Sequence, residues 1–219
     1  MKWESERTVV VQAAQLLLRR GLVAATSGNV SLRLEGDAEE GLIAITPTSM
    51  DYETMTPGDI VVIDYDVDVI EGDTVPSSES LTHVAVYKAR ADISAVIHTH
   101  SIYASVLAVA GVALPPVLDE LVAYLGGPVE VAEYGFPSTE DLGGKATVAM
   151  GERNAVFLRN HGVLAAGRDM TDALRSCELV ERAAQIFIQA RALGNVETLP
   201  DEIIEAEKSI FRMRQGTGD

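Results

Sequence analysis

The chain of 219 residues has 33 acidic and 17 basic side chains, and its formal net charge of −16 at pH 7 opposes nucleic-acid binding, which depends on Lys and Arg neutralising phosphates. With 47% hydrophobic and 23% charged residues the composition is that of a globular protein, and a single cysteine excludes an intramolecular disulfide and a thiolate metal site. No apolar stretch reaches the ~18 residues of a membrane span, and residues 1–10 lack the pattern of a signal peptide, so a cytoplasmic location without membrane contact is expected.

Periodicity and turn signals predict helices and short strands along the first ninety residues. Apolar residues at helical spacing from Val9 to Leu17 predict an amphipathic helix that Gly21 ends. Ser77 or Ser78 can cap a later helix. The predicted ranges are a helix over 4–20, strands over 29–34, 42–45, 59–64 and 66–70, and a helix over 79–90.

In the second half, a continuous apolar run at residues 93–97 predicts a strand buried on both faces, which leads directly into His98-Thr99-His100. Ser138 and Asp141 have the spacing of a capping box and predict a helix that ends near residue 151. The other predicted elements are helices over 101–110, 169–193 and 201–214, and strands over 155–159 and 163–166. Their order, without a linker, predicts one layered α/β or α+β domain over residues 1–219.

Three of the four histidines have the placement expected of a metal site. Side chains at i and i+2 of a strand share one face, ~7 Å apart, so His98 and His100 can converge on one ion. His161 follows another predicted strand and precedes Gly162, where the backbone can pass close to a site. Three neutral imidazoles with an open position are typical of catalytic zinc, although an H-x-H pair is a weak signal and His161 taken alone is more typical of an ordinary polar residue. His83, on a predicted helix, is expected at the surface or behind the site.

Glu79 follows Pro76-Ser77-Ser78 at the predicted start of a helix, and it has two interpretations. A carboxylate in the first turn is stabilised by the free amides and the helix dipole without any further role. Alternatively, it is a general base beside the metal, with the two serines offering hydroxyls and amides to an anion. The spacing alone does not choose between them.

Two further polar segments fit an anion pocket. Thr26-Ser27-Gly28-Asn29 precedes a predicted strand, and its glycine allows backbone amides to approach an oxyanion. Thr46-Pro47-Thr48-Ser49 follows a strand with a similar supply of hydroxyls and amides. Each segment alone is a weak signal, because such sequences are mostly ordinary turns. Because the net charge repels anions at long range, any phosphate must be captured locally.

Taken in this order, the motifs resemble the class II aldolase/adducin family over nearly the whole chain. They are T-S-G-N-V-S at 26–31, T-P-T-S at 46–49, P-S-S-E at 76–79, H-T-H at 98–100 and N-H-G at 160–162. The resemblance implies a three-layer α/β/α sandwich around a mostly antiparallel sheet, assembled as a homotetramer with active sites between subunits. It also implies a zinc-dependent lyase, with Mn²⁺ or Co²⁺ as alternatives, that cleaves a ketose 1-phosphate to dihydroxyacetone phosphate and a small aldehyde.

The resemblance further assigns roles to individual residues. His98, His100 and His161 would be the zinc ligands, and Glu79 would be a fourth ligand before substrate binds and the acid/base afterwards. The phosphate would be held by the residues of the three polar segments, which are Gly28, Asn29, Thr48, Ser49, Ser77 and Ser78.

The chain departs from the family's fuculose-phosphate members at the end of the site that receives the aldehyde. Glu120 stands where a tyrosine of a neighbouring subunit is expected, and Phe211 stands near a second one, while Tyr124 lies close in sequence. The alternatives are therefore a pentulose-5-phosphate 4-epimerase, or a decarboxylase or dehydratase on the same scaffold. A non-catalytic, adducin-like interaction protein is expected to lack the metal ligands, which are present here.

Overall fold

The structure is a computed structural model that describes residues 2–34 and 41–216. Within these residues the strands are β1 (Asn29–Arg33), β2 (Ile43–Ile45), β3 (Val61–Ile63), β4 (Val69–Glu71), β5 (Ala95–Thr99), β6 (Val131–Ala132), β7 (Ala155–Leu158) and β8 (Gly162–Gly167). They form one sheet in the order β4-β3-β2-β1-β5-β8-β7-β6. Neighbouring strands are antiparallel except β6 and β7, so the predicted mostly antiparallel sheet is confirmed.

Helices cover both faces of the sheet. In the described ranges they are α1 (Glu4–Arg19), α2 (Ser80–Ala89), α3 (Ile102–Ala110), α4 (Asp119–Leu125), α5 (Glu140–Met150), α6 (Met170–Leu193) and α7 (Asp201–Gln215), with a 3₁₀ turn at Pro57–Asp59. Alternate residues of the central strands enter opposite cores: Ile97 and Ala165 pack with α1 and α6, whereas Val96 and Leu164 pack with α2 and α5. This alternation produces the expected α/β/α layers. None of the described helices is long and apolar enough to cross a membrane.

Two predicted helix caps are wrong. Ser138 does not cap α5, because its φ of 65° lies in the left-handed region; Thr139 is the N-cap, and its hydroxyl accepts from the Leu142 amide at 3.3 Å. Neither serine of the 77–78 pair caps α2, because Glu79 itself occupies the N-cap position and makes no side-chain cap hydrogen bond. The sequence patterns also miss α4 and β6.

The register of the sheet brings three strand ends to one edge. β1 begins at Asn29, which pairs with His98 near the end of β5. β8 begins at Gly162, beside the end of β5, where Thr99 pairs with Val163. The start of β1, the end of β5 and the start of β8 therefore meet, and the side chains described next lie at this edge.

Candidate metal centre

His98 lies inside β5, and a backbone carbonyl of the neighbouring strand fixes the orientation of its ring. Its side chain is 1% exposed, and its Nδ1–H donates to the Val163 carbonyl of β8 at 3.0 Å. Because Nδ1 carries the proton, the lone pair is on Nε2, which faces the other histidines. A backbone carbonyl behind the ring is the usual way in which proteins fix the tautomer of a metal-binding histidine.

His100 and His161 bring two more imidazoles to the same point. His100 follows β5 directly and continues its alternation, while His161 lies in the tight turn between β7 and β8. The ring centroids are 4.7 to 4.9 Å apart, and Nε2 of His98 is 2.8 Å from Nε2 of His100. One nitrogen from each ring lies within 4.8 Å of the others. The predicted convergence of the three imidazoles is confirmed.

Local electrostatics keep two of these rings neutral. Burial lowers the pKa of His98 well below its usual value, and the neighbouring His161 and His100 lower it further. Burial, and then His161, lower the pKa of His100. A neutral imidazole keeps the lone pair that a metal ion needs, so the cluster is suited to binding a cation at neutral pH.

The carboxylate of Glu79 points into the cluster from the N-cap position of α2. Its Oε2 lies 3.3 Å from Nε2 of His98, and its Oε1 lies 3.4 Å from Nε2 of His161. The Nδ2 of Asn29 donates to Oε2 at 2.9 Å. Glu79 therefore stands at the start of a helix and also contacts two of the histidines, while its role as a general base stays a prediction.

The distances from Glu79 to His98 and His161 fit a divalent cation, whereas the 2.8 Å between the Nε2 atoms of His98 and His100 is shorter than two tetrahedral ligands require. Two donor atoms bound tetrahedrally at ~2.0–2.1 Å lie about 3.3 Å from each other, which matches the spacing between Glu79 and its two histidine neighbours. Oε1 of Glu79 is also buried without a hydrogen-bond donor among the described residues. A buried carboxylate oxygen in that position needs a positive partner, and a bound cation would provide it.

His83 is completely buried behind this site, so the surface alternative for it is wrong. Its Nε2 lies 2.5 Å from Oδ1 of Asn29, and its Nδ1 lies 2.6 Å from Oγ of Ser31. Burial, with His98 adding to the effect, lowers the pKa of His83 to about 3, so its ring is neutral. The side-chain amide of Asn29, which was expected at the phosphate, is engaged here by His83 and Glu79.

Of the three segments expected to bind an anion, the one at residues 46–49 pairs with residues 75–77 through backbone hydrogen bonds. The Thr48 amide donates to the Val75 carbonyl at 2.9 Å, and the Ser77 amide donates to the Thr46 carbonyl at 3.1 Å. These two amides are therefore engaged within the protein. Their pairing brings the hydroxyls of Thr48 and Ser77 onto neighbouring backbone segments at the start of α2.

The remaining expected phosphate residues flank this pairing. Ser49 follows Thr48 and Ser78 follows Ser77, and the side chains of both serines are exposed. Gly28 has a φ of +80°, and a Cβ there would lie 2.6 Å from the His98 carbonyl oxygen. The Tyr52 hydroxyl donates to the Gly28 carbonyl at 2.7 Å and holds this turn. The conformation and the close approach together explain why glycine is required.

Comparison with known proteins agrees with this geometry. The family model described as the class II aldolase and adducin N-terminal domain matches residues 8–188. The chain belongs to the class II aldolase and adducin family. With its three-histidine site it is a metal-dependent class II aldolase, a lyase.

Similar proteins cover nearly the same length as this class II aldolase. A 5-deoxy-D-ribulose 1-phosphate aldolase of Bacillus thuringiensis serovar kurstaki is 37% identical over 94% of each chain. An L-ribulose-5-phosphate 4-epimerase of Salmonella paratyphi C is 34% identical over 84% of this chain and 85% of its own. A solved L-fuculose 1-phosphate aldolase superposes with a TM-score of 0.89 at 37% identity, covering 95% of this chain and 96% of its own.

Glu120 and Phe211, which stand where or near where tyrosines were expected, have partners within the protomer. Glu120 forms a salt bridge with Arg182 at 2.6 Å. Phe211 is 7% exposed and packs against Gly126, just after α4. Tyr124 stacks under the Arg214 guanidinium, 3.9 Å from its ring centroid.

Changing Gly162 to alanine tests how closely the two ligand-bearing strands must approach. A Cβ there would overlap the Thr99 carbonyl oxygen and would lie 2.9 Å from Cδ2 of His100. Since backbone atoms cannot move aside, we expect Gly162→Ala to lower stability by about 1–3 kcal/mol and to weaken metal binding. Urea unfolding and metal titration measure the two effects.

The matched control is Gly144→Ala. Gly144 is exposed on α5, and a Cβ there meets nothing within 4 Å. We expect that variant to be more stable than the wild type by roughly 0.5–1 kcal/mol, because alanine favours a helix. Equal behaviour of the two variants would contradict the close packing inferred at Gly162.

Proposed function

We propose that this class II aldolase cleaves a ketose 1-phosphate between C3 and C4, releasing dihydroxyacetone phosphate and a small aldehyde. The observation that carries the proposal is the position of Glu79, whose carboxylate lies 3.3 Å from His98 and 3.4 Å from His161. A carboxylate beside three metal-binding imidazoles can be displaced by substrate oxygens and then act as a base. The whole of residues 1–219 would form one catalytic domain.

In this proposal His98, His100 and His161 hold Zn²⁺, because imidazole ligands suit zinc, with Mn²⁺ or Co²⁺ as alternatives. The bound cation would supply Lewis-acid polarisation of the C2 carbonyl. When the C3–C4 bond breaks, its electron pair stays with the C3 fragment, and the C4 hydroxyl passes its proton to the Glu79 carboxylate as the aldehyde forms. Glu79 then delivers this proton to C3, which completes dihydroxyacetone phosphate and returns Glu79 to its carboxylate form.

The phosphate would bind next to Glu79 without a cationic side chain. The loops that supply the hydroxyls meet at the start of α2, where the helix dipole favours an anion. The proposed contacts are Gly28, Asn29, Thr48, Ser49, Ser77 and Ser78. A pocket built from amides and hydroxyls accommodates the −16 net charge of the chain, because its attraction for phosphate is short-ranged.

Two observations support a small aldehyde as the second product. The relative named for 5-deoxy-D-ribulose 1-phosphate would release acetaldehyde on cleavage between C3 and C4. In this chain, Glu120 and Phe211 stand near the positions of the family's tyrosines, and both have partners within the protomer. The proposed substrate is therefore a ketose 1-phosphate with a short tail beyond C4.

The proposed assembly is a homotetramer with active sites between subunits. An apolar stripe on α3 supports it, since Ile102, Val106 and Val109 are 68%, 46% and 61% exposed. The stripe begins two residues after His100, so a second subunit packed against it would lie beside the metal centre. Sedimentation analysis of the purified protein measures the assembly.

The decisive experiment is aldol synthesis with the metal-loaded protein. Dihydroxyacetone phosphate is incubated with a panel of short aldehydes that includes acetaldehyde and glycolaldehyde, and new ketose phosphate is detected by NMR. We expect product with at least one aldehyde and none after chelation. If no aldehyde is accepted, the aldolase proposal is wrong.

An epimerase is the second candidate, because one relative at 34% identity is named an L-ribulose-5-phosphate 4-epimerase. An epimerase would convert L-ribulose 5-phosphate to its C4 epimer without releasing free fragments. Incubation with that pentulose phosphate, under the conditions of the aldol assay, separates the two activities.

A further inference from the structure

A row of buried polar side chains runs from Glu79 into the protein interior. The contacts are 2.9 Å from Asn29 Nδ2 to Glu79, 2.5 Å from His83 Nε2 to Asn29 Oδ1, 2.6 Å from Ser31 Oγ to His83 Nδ1, and 2.8 Å from Tyr87 to Ser31. Asn29, Ser31, His83 and Tyr87 are each between 0% and 4% exposed. Such a continuous row between α2 and the sheet is not required for packing alone, since apolar side chains would fill the same space.

The chemistry of each group gives the row one direction. The Glu79 carboxylate only accepts hydrogen bonds, so Asn29 must turn its NH₂ towards it and its carbonyl towards His83. That carbonyl needs a donor, so His83 carries its proton on Nε2, and its Nδ1 accepts from the Ser31 hydroxyl. The Ser31 oxygen can in turn accept from Tyr87, for which the Ser94 carbonyl at 3.5 Å is a more distant alternative acceptor.

We propose that His83, as the neutral Nε2–H tautomer, is a positioning residue that orients the Asn29 amide and thereby the Glu79 carboxylate. The Asn29 carbonyl selects this tautomer, because it can only accept a hydrogen bond, and the Ser31 hydroxyl then donates to the unprotonated Nδ1. Without the His83 donor, the Asn29 carbonyl is buried without a partner, and the amide is no longer held in the position from which its NH₂ meets the carboxylate. The inference rests on the proposed function, in which Glu79 transfers the proton.

Two substitutions of His83 distinguish the role of its Nε2 from that of its Nδ1. The amide of a glutamine reaches about as far as Nε2 of histidine, so His83→Gln keeps a donor for Asn29. The amide of an asparagine reaches about as far as Nδ1, so His83→Asn keeps a partner for Ser31 but leaves Asn29 without its donor. If His83 only filled space, His83→Asn and His83→Gln would have the same kcat whenever their stabilities are equal.

In aldol assays with metal-loaded protein, we expect His83→Gln to retain kcat within about fivefold and His83→Asn to lose about 10²-fold, the scale of a misplaced catalytic group. KM should change less than kcat in both variants, because Asn29 is only one of the six proposed phosphate contacts. Equal losses in the two variants, or wild-type activity in both, would overturn the proposal. If His83→Asn does not fold, Ser31→Ala replaces it, with a smaller loss of kcat expected.

A second readout does not depend on activity. The chain has four histidines, so NMR of protein labelled with ¹⁵N-histidine can assign the protonated nitrogen of each ring. We expect the Nε2–H form at His83 in the wild type and also in Ser31→Ala, where the Asn29 carbonyl still needs the donor. An Nδ1–H wild-type ring would overturn the inference even if aldol activity is found. If the wild type has no aldol activity, the proposed function fails. The NMR measurement of the His83 tautomer still tests the inference in that case.

Discussion

A Glu79→Gln variant of this class II aldolase is expected to lose about 10²–10⁴-fold in kcat while keeping its fold, because the amide cannot accept or deliver a proton. The amide is nearly isosteric, so the 2.9 Å hydrogen bond from Asn29 can still be accepted by the side-chain oxygen. The three histidines remain to hold the metal. Steady-state kinetics and metal analysis of the same preparation measure the effect.

The control for Glu79→Gln is the same change at another helix start. Glu140 begins α5 and is exposed, so its carboxylate interacts with a helix dipole and nothing is proposed beyond that. Glu140→Gln should cost a few tenths of a kcal/mol at most and leave kcat unchanged. If Glu79→Gln behaves in the same way, its carboxylate has only the role of a helix-terminal charge.

The histidine cluster could be predicted because its pieces are local. His98 and His100 share a face because strand side chains alternate, and the apolar run before them identifies the strand. His161 beside Gly162 lies at the end of another short apolar run. Periodicity thus places His98 and His100 on one strand and His161 next to another. The family resemblance adds that these strands meet.

The surroundings of Glu79 could not be predicted in the same way, because they depend on sheet register. The pairing of Asn29 with His98 brings the amide within 2.9 Å of the Glu79 carboxylate, across fifty residues of sequence. His83 is one helical turn after Glu79, and that spacing fits a surface position as well as a buried one. Only the packing of α2 on β1 decides between the two.

The missed elements are short. The seven residues of α4 are too few for a helical repeat to be distinguished from a short apolar run, and the two residues of β6 carry no alternation. The wrong cap at Ser138 has a different reason. Ser138 and Thr139 are adjacent hydroxyl residues, and the left-handed φ at Ser138 leaves Thr139 in the extended conformation that an N-cap needs.

The second large effect is expected from His161→Ala, which should abolish detectable activity and lower metal affinity by more than about 10²-fold, the upper range for changes behind a metal ligand. His161 is the better choice than His98 for this test. His98 is 1% exposed within the sheet and bonded to Val163, so its removal would leave a cavity and destabilise the fold. His161 lies in a turn with 16% of its side chain exposed, so its loss acts mainly on the cation.

The measurement is the melting temperature of metal-depleted protein before and after metal is added. A ligand at 100 times its dissociation constant stabilises a protein by about 2.7 kcal/mol, which corresponds to roughly 5–10 °C in a chain of this size. We expect that rise, and recovery of activity, in the wild type and neither in His161→Ala. A full metal-dependent rise in the variant would mean that the ion binds elsewhere in the protein. In the wild type, Glu79 would then be buried beside three imidazoles with no cation to balance its charge.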